Sequence, residues 1–192
     1  MSMAVIVDAT FDTDLEAHAA WYGCQIARDT GDAYSPPASL LATTTEAFGS
    51  AVMRMETPAV VTAPGTNYTF RVRYREAVAT MPAVAWRVRW IDAGNALIRE
   101  DTIDMPRSAE WAEASGTLTA PETAARVEWR FTWSVSAAGP AFRIDNILVA
   151  SVDAPAGARA YRWNGTAWVP LADPLRWDGM GWQPTAPVEV IA

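Results

Sequence analysis

Four carboxylates stand within a short stretch of the chain: Asp101, Asp104, Glu110 and Glu113. Two such acids held in a pocket can divide general acid and general base work between them. These four fall in an irregular polar segment whose spacing sets no two of them across a substrate, so catalysis is not expected. His18 is the sole histidine and Cys24 the sole cysteine. A lone cysteine excludes an intrachain disulfide and a multi-cysteine metal site. A lone histidine argues against a His-rich zinc site or a serine-type triad.

The residues suit binding better. All 15 basic side chains are arginine, and 22 acids leave a net charge of −7. That sign argues against a nucleic-acid partner, which draws on a basic surface to neutralise phosphate. With 51% hydrophobic and 19% charged residues the composition is globular. No apolar run approaches the ~20 residues that cross a bilayer, so no membrane insertion is expected. The first residues lack the positive segment and the apolar length of a secretion signal.

Period-two alternation identifies the elements that would position these groups. Tyr68, Phe70, Val72 and Tyr74 share one face of a strand and Arg71, Arg73 and Arg75 the other. Val84, Trp86, Val88 and Trp90 alternate with Arg87 and Arg89; Val127, Trp129, Phe131, Trp133 and Val135 alternate with Arg130. Three strands under one rule predict a single sheet face turned to a core. Pro64-Gly65-Thr66-Asn67, Asp92-Ala93-Gly94-Asn95 and Ala138-Gly139-Pro140 supply turns between strands, and the spacing predicts an all-β sandwich or barrel. Residues 14–21 favour a short helix or a loop. Residues 39–57 predict one or two strands, Ala51–Met55 the better of them.

Several landmarks occur in order: Phe11-Asp12, Ser39-Leu40, Pro64-Gly65-Thr66-Asn67-Tyr68-Thr69-Phe70, Trp90-Ile91-Asp92-Ala93-Gly94-Asn95, Trp111, Thr119-Ala120-Pro121 and Ile144-Asp145-Asn146-Ile147-Leu148. The set resembles the jelly-roll carbohydrate-binding modules found beside xylanases and glucanases, within the galactose-binding-like group. The resemblance covers residues 8 to 152 and implies a jelly-roll β-sandwich. It implies glycan binding through aromatic rings stacked on sugars, in a sheet cleft or at loop ends. It also implies a structural calcium, with Asp12 and Asp145 at the matching positions; Asp145 could instead simply hydrogen-bond backbone near a strand end, and no other cofactor is expected.

Trp86, Trp90, Trp129 and Trp133 lie on the alternating apolar faces and are expected in the core. The aromatics outside the alternation, Trp21, Tyr22, Tyr34 and Trp111, are the ligand candidates. Arg71, Arg73, Arg87 and Arg89 join them, for if the first two strands are neighbours their arginines form a band across one sheet. Such a band could hold an anionic glycan or phosphate polymer. It could equally be a solvated face of local ion pairs, with Arg87 opposite Glu100 and Glu128 beside Arg130. It could also be a subunit interface.

After residue 152 the segment 153–159 reads as a linker, and residues 160–192 as an appendage carrying a repeat. Arg162-Trp-Asn-Gly-Thr-Ala-Trp-Val-Pro170 aligns with Arg176-Trp-Asp-Gly-Met-Gly-Trp-Gln-Pro184. Asn164-Gly165 and Asp178-Gly179 predict tandem hairpins with type I′ turns, each bringing a pair of tryptophans together. Trp163, Trp168, Trp177 and Trp182 are the expected interface residues, since small hairpins are marginal alone and exposed indoles seek cover. These units resemble repeats near the ends of tail-associated proteins of actinobacterial phages, and more distantly choline-binding wall repeats.

The combined expectation is a non-catalytic phage virion protein at a tail tip, baseplate or capsid surface. It would assemble in the host cytoplasm with other virion proteins, as a homo-oligomer, and touch a host-surface glycan or decorate the particle. The alternative is an extracellular carbohydrate-binding module of a secreted bacterial glycan-degrading system.

Overall fold

The computed structural model describes residues 4–15, 18–46, 51–55, 60–78, 81–134, 136–151, 161–163, 168–170, 175–177 and 182–184. Among them there is no helix, and the strands run β1 (Ala4–Ala9), β2 (His18–Tyr22), β3 (Cys24–Asp29), β4 (Ser39–Thr44), β5 (Ala51–Met55), β6 (Val60–Val61), β7 (Asn67–Glu76), β8 (Val84–Ile91), β9 (Leu97–Met105), β10 (Ala112–Thr119), β11 (Arg126–Trp133) and β12 (Ala141–Ser151). Four short ones follow: β13 (Tyr161–Trp163), β14 (Trp168–Pro170), β15 (Leu175–Trp177) and β16 (Trp182–Pro184).

Two antiparallel sheets make a jelly-roll sandwich. One has the order β10-β7-β12-β4-β3, with β1 also on β12; the other has the order β2-β5-β11-β8-β9, with β6 also on β11. Strand β12 serves two neighbours along one edge. Its first half pairs with β4 through Ile144, and its second half with β1 from Ile147 onward. An irregularity between Asp145 and Leu148 marks the handover.

The alternation expected of β7, β8 and β11 is present, but it belongs to two sheets. β8 and β11 pair with each other, while β7 lies between β10 and β12 in the opposite layer. Period two records which face of a strand is buried and is silent on which sheet the strand joins. The single arginine band is therefore corrected. Arg71, Arg73 and Arg75 lie on the outside of one sheet, and Arg87, Arg89 and Arg130 on the outside of the other.

Between the sheets the core is aromatic. Trp86, Trp90, Trp129 and Trp133 are all at most 3% exposed, as the alternation predicts. Phe70 meets Trp86 edge-on at 5.7 Å, Trp86 stacks on Phe131 at 5.6 Å, and Trp133 meets Phe142 at 4.9 Å. Such pairs add ~0.5–1.5 kcal/mol each beyond the area they bury.

Two local expectations change. His18–Tyr22, within the segment of good helix formers, is instead edge strand β2, drawn into register with β5; tertiary pairing overrides propensity there. Around the 92–95 turn, Arg89 faces Glu100 and Arg87 faces Thr102, two residues from the simplest register, and the pairing slips again between Trp90 and Ile91. In the tail, Trp163 pairs with Trp168 and Trp177 with Trp182. Each pair stands opposite in backbone register, with Asn164-Gly165 and Asp178-Gly179 in the connections between them. Those connecting residues, and the 153–159 linker, lie outside the described residues.

Candidate functional site

The loop from β3 to β4 folds back over the outside of the β7 sheet. An Asx turn starts it, with Asp29 Oδ1 accepting from the Gly31 amide at 2.8 Å. Asp32 then acts as a hub. It receives Arg75 Nη1 at 3.1 Å, Arg143 Nη1 at 3.4 Å and the Trp111 indole N–H at 3.3 Å. Arg143 Nε also donates to Asp29 at 2.8 Å.

Tyr34 is held on top of this network. Its ring meets Trp111 edge-on at 6.0 Å, and the Arg73 guanidinium carbon sits 4.6 Å from its centroid. Arg73 and Arg71 both reach Glu113, at 2.9 and 2.7 Å. The Arg71 hydrogen bond outweighs partial burial and holds the Glu113 carboxyl below its ordinary range. Tyr34 remains 44% exposed. Four of the expected ligand residues (Tyr34, Trp111, Arg71 and Arg73) thus come together.

The remaining candidates belong to the other sheet. Arg87 and Arg89 project from its outer face, and Trp21 and Tyr22 lie exposed on its edge strand β2. Glu100 receives Arg130 at 2.8 Å, Arg89 at 3.5 Å and Arg87 at 3.9 Å; Glu128 pairs with Arg89. Asp32 and Arg143 were not foreseen as site residues, and Glu113 was weighed only as a catalytic acid. The Asp29-Thr-Gly-Asp32 turn pattern was the only trace of the hub in the sequence.

A third cluster lies where β12 changes neighbours. Asp145 is fully buried, with its carboxylate accepting from the Ser35 and Asn146 amides at 2.8 and 2.7 Å. Burial, with Asp12 close by, outweighs those hydrogen bonds and pushes its pKa up to about 6. Asp12 Oδ1 and Asn146 Oδ1 are buried oxygens with no hydrogen-bond partner among the described residues. Two acids and one amide, with orphaned oxygens on Asp12 and Asn146, fit an oxygen-seeking dication, which takes six to eight such ligands. Among the described residues no group of three or more His, Cys, Asp or Glu forms a metal cage, so backbone oxygens would complete the shell.

The acids weighed for catalysis do not converge. Asp101 accepts from the Trp90 indole at 2.7 Å and from Arg99 at 2.9 Å. Glu113 belongs to the arginine pair described above, Asp104 is exposed on edge strand β9, and Glu110 is exposed in the β9–β10 connection.

No family model and no curated protein matches the sequence. Solved structures do match the fold. The CBM22-1-GH10 modules of Clostridium thermocellum endo-1,4-beta-D-xylanase 10B, complexed with xylohexaose, superpose with a TM-score of 0.64 at 15% identity, over 78% of this chain and 29% of that one. A xylan-binding domain of carbohydrate-binding module family 22 gives 0.58 at 20% identity, over 79% and 97%. The enzymatically active domain of bacteriophage CBA120 tailspike protein 4 gives 0.58 at 12% identity, over 70% and 19%. The chain therefore spans under a third of the xylanase and tailspike chains and nearly all of the isolated xylan-binding domain. At these identities the likeness is one of fold: the chain is an all-β jelly-roll sandwich, the architecture these modules share.

Proposed function

We propose that the protein is a non-catalytic glycan-binding module whose platform is the Tyr34–Trp111–Arg73 cluster. One observation carries this reading. A nearly half-exposed tyrosine ring is braced by a guanidinium on one side and an indole at its edge. A fixed apolar ring among oriented polar groups matches the two faces of a pyranose, which present C–H groups and hydroxyls in turn. The xylan-binding domains of the same fold support the choice of ligand class, and an extracellular setting would follow from it.

Affinity electrophoresis of the whole chain through neutral and acidic polysaccharides is the direct test. Retardation by at least one glycan that Tyr34→Ala abolishes is the expected result. Release of reducing sugar from any of them would overturn the non-catalytic part.

The reading includes a structural calcium held by Asp12, Asp145 and Asn146. When bound it would neutralise the two acids and satisfy the orphaned oxygens. This chain's part is to hold the segment before β2 against β12 through that shared charge.

A second reading is favoured by the tailspike likeness and the tandem Trp hairpins: the same module on a virion, oligomeric and docked on other virion proteins, touching a host-surface glycan. Proteomics of purified particles checks it. Absence of the protein from particles whose other components are detected would remove it.

A further inference from the structure

The outer face of the β8–β11 sheet carries a second feature, independent of the Tyr34 platform. Backbone register sets Arg54 opposite Arg130 and Arg130 opposite Arg87, three arginines in one row across adjacent strands. Like charges directly opposite one another destabilise a sheet. Arg89 occupies the same face two positions along from Arg87, and Arg126 four positions along from Arg130. Against the four arginines of the face whose side chains are described, Arg87, Arg89, Arg126 and Arg130, the described residues supply three acids, Glu100, Asp104 and Glu128. The face is thus cationic in a chain whose net charge is −7.

The neighbouring row is built differently. Tyr22 pairs with Val52, Val52 with Thr132, Thr132 with Ala85, and Ala85 with Asp104. Small side chains at Thr132 and Ala85 leave a low floor beside the arginine row, and the exposed Tyr22 stands at its end.

From this juxtaposition we propose that the face binds a uronic-acid-bearing glycan chain, with Arg87 and Arg130 holding its carboxylates and Tyr22 flanking the sugar backbone. The choice of carboxylate follows from the site itself. Arg130 already meets the Glu100 carboxylate at 2.8 Å, and Glu100 is shared with Arg89 and Arg87 at longer range. The planar guanidinium fork matches a carboxylate in two contacts. Strands ~4.8 Å apart space the arginines on the scale of successive pyranose units. An external carboxylate can complete the coordination that one glutamate divides among three cations.

The experiment is titration of the whole chain with polygalacturonate, neutral xylan, polyglycerol phosphate and single-stranded DNA, at low and high salt. Polygalacturonate is expected to bind, to weaken as salt rises, and to lose about tenfold in affinity for each of Arg87→Gln and Arg130→Gln. Arg130→Lys keeps the charge without the fork and is expected to lose most of that affinity. Tyr34→Ala, on the opposite sheet, is expected to leave it unchanged. Should the glutamine variants fold poorly, the salt response of the unmodified protein and its ranking of the four polymers still decide. Equal or tighter binding of the phosphate polymer or DNA overturns the proposal, as does polygalacturonate binding that ignores salt. Xylan binding that needs Tyr34, with no polygalacturonate binding, overturns this site and leaves the glycan platform standing.

Discussion

The Trp129 indole N–H donates to His18 Nε2 across 3.3 Å, tying edge strand β2 to the centre of its sheet. An indole can only donate, so Nε2 is the accepting nitrogen and Nδ1–H donates to the Leu15 carbonyl at 3.2 Å. Both ring nitrogens are committed inside the fold, and the chain's one histidine works as a structural post. His18→Leu strands the buried Trp129 N–H, at an expected cost of about 1–3 kcal/mol in urea unfolding. Glycan affinity of the folded protein should not move. A stability change within error would refute the assignment.

Trp86 and Trp133 are equally buried but differ in one bond. Trp133 Nε1 donates to Thr44 Oγ1 at 3.0 Å, whereas Trp86 Nε1 is buried without a partner among the described residues. Replacing each by phenylalanine removes similar volume. At Trp86 it also relieves an unsatisfied donor, while at Trp133 it breaks a made bond. Trp133→Phe is therefore expected to cost about 1–2 kcal/mol more than Trp86→Phe in matched denaturant titrations. The reverse order would contradict the hydrogen-bond assignment.

How far the sequence reaches is visible in these same strands. Alternation in Tyr68–Tyr74, Val84–Trp90 and Val127–Trp133 identified the buried tryptophans because burial and period two are local properties. Sheet membership is not local. A jelly roll sends successive strands β7 and β8 to opposite layers, and their alternation is the same in either. Among the ligand candidates, the exposure of Trp21, Tyr22 and Tyr34 followed from their standing outside the alternation. The Asp32 hub did not follow, because Trp111 and Arg143 reach it from 79 and 111 positions away. The ordered landmarks around Asp12 and Asp145 brought that pair into view through resemblance, with no local signal in either residue.

Tyr34 and Trp111 separate stability from binding. Tyr34→Ala removes a half-exposed ring and should change stability by no more than about 1 kcal/mol. Trp111→Ala also releases Asp32 from one donor and should cost somewhat more. Both should weaken neutral-glycan binding by about 2 kcal/mol or more if the ring pair anchors the sugar. Affinity electrophoresis alongside thermal melts reads the two effects independently. Neutral-glycan binding that survives both substitutions would move the platform elsewhere.

Asp145 predicts a pH response and its inversion. Its folded pKa of about 6 lies above the ordinary 3.8, raised chiefly by burial. With no cation bound, the folded chain holds the proton more tightly than the unfolded chain between those values. This contribution to stability therefore falls as pH rises through that window and levels off above it, by roughly 3 kcal/mol in all. Asp145→Asn should flatten the slope. Calcium favours the ionised carboxylate, so it should raise the melting temperature near neutral pH and lose that effect at about pH 5, where protons compete for the same oxygens. Asp12→Ala should abolish the calcium response while leaving part of the pH slope, since burial, the larger cause, is untouched. Melts across pH in chelator and in excess calcium distinguish these outcomes. A calcium response that persists in both variants would place the ion away from these acids.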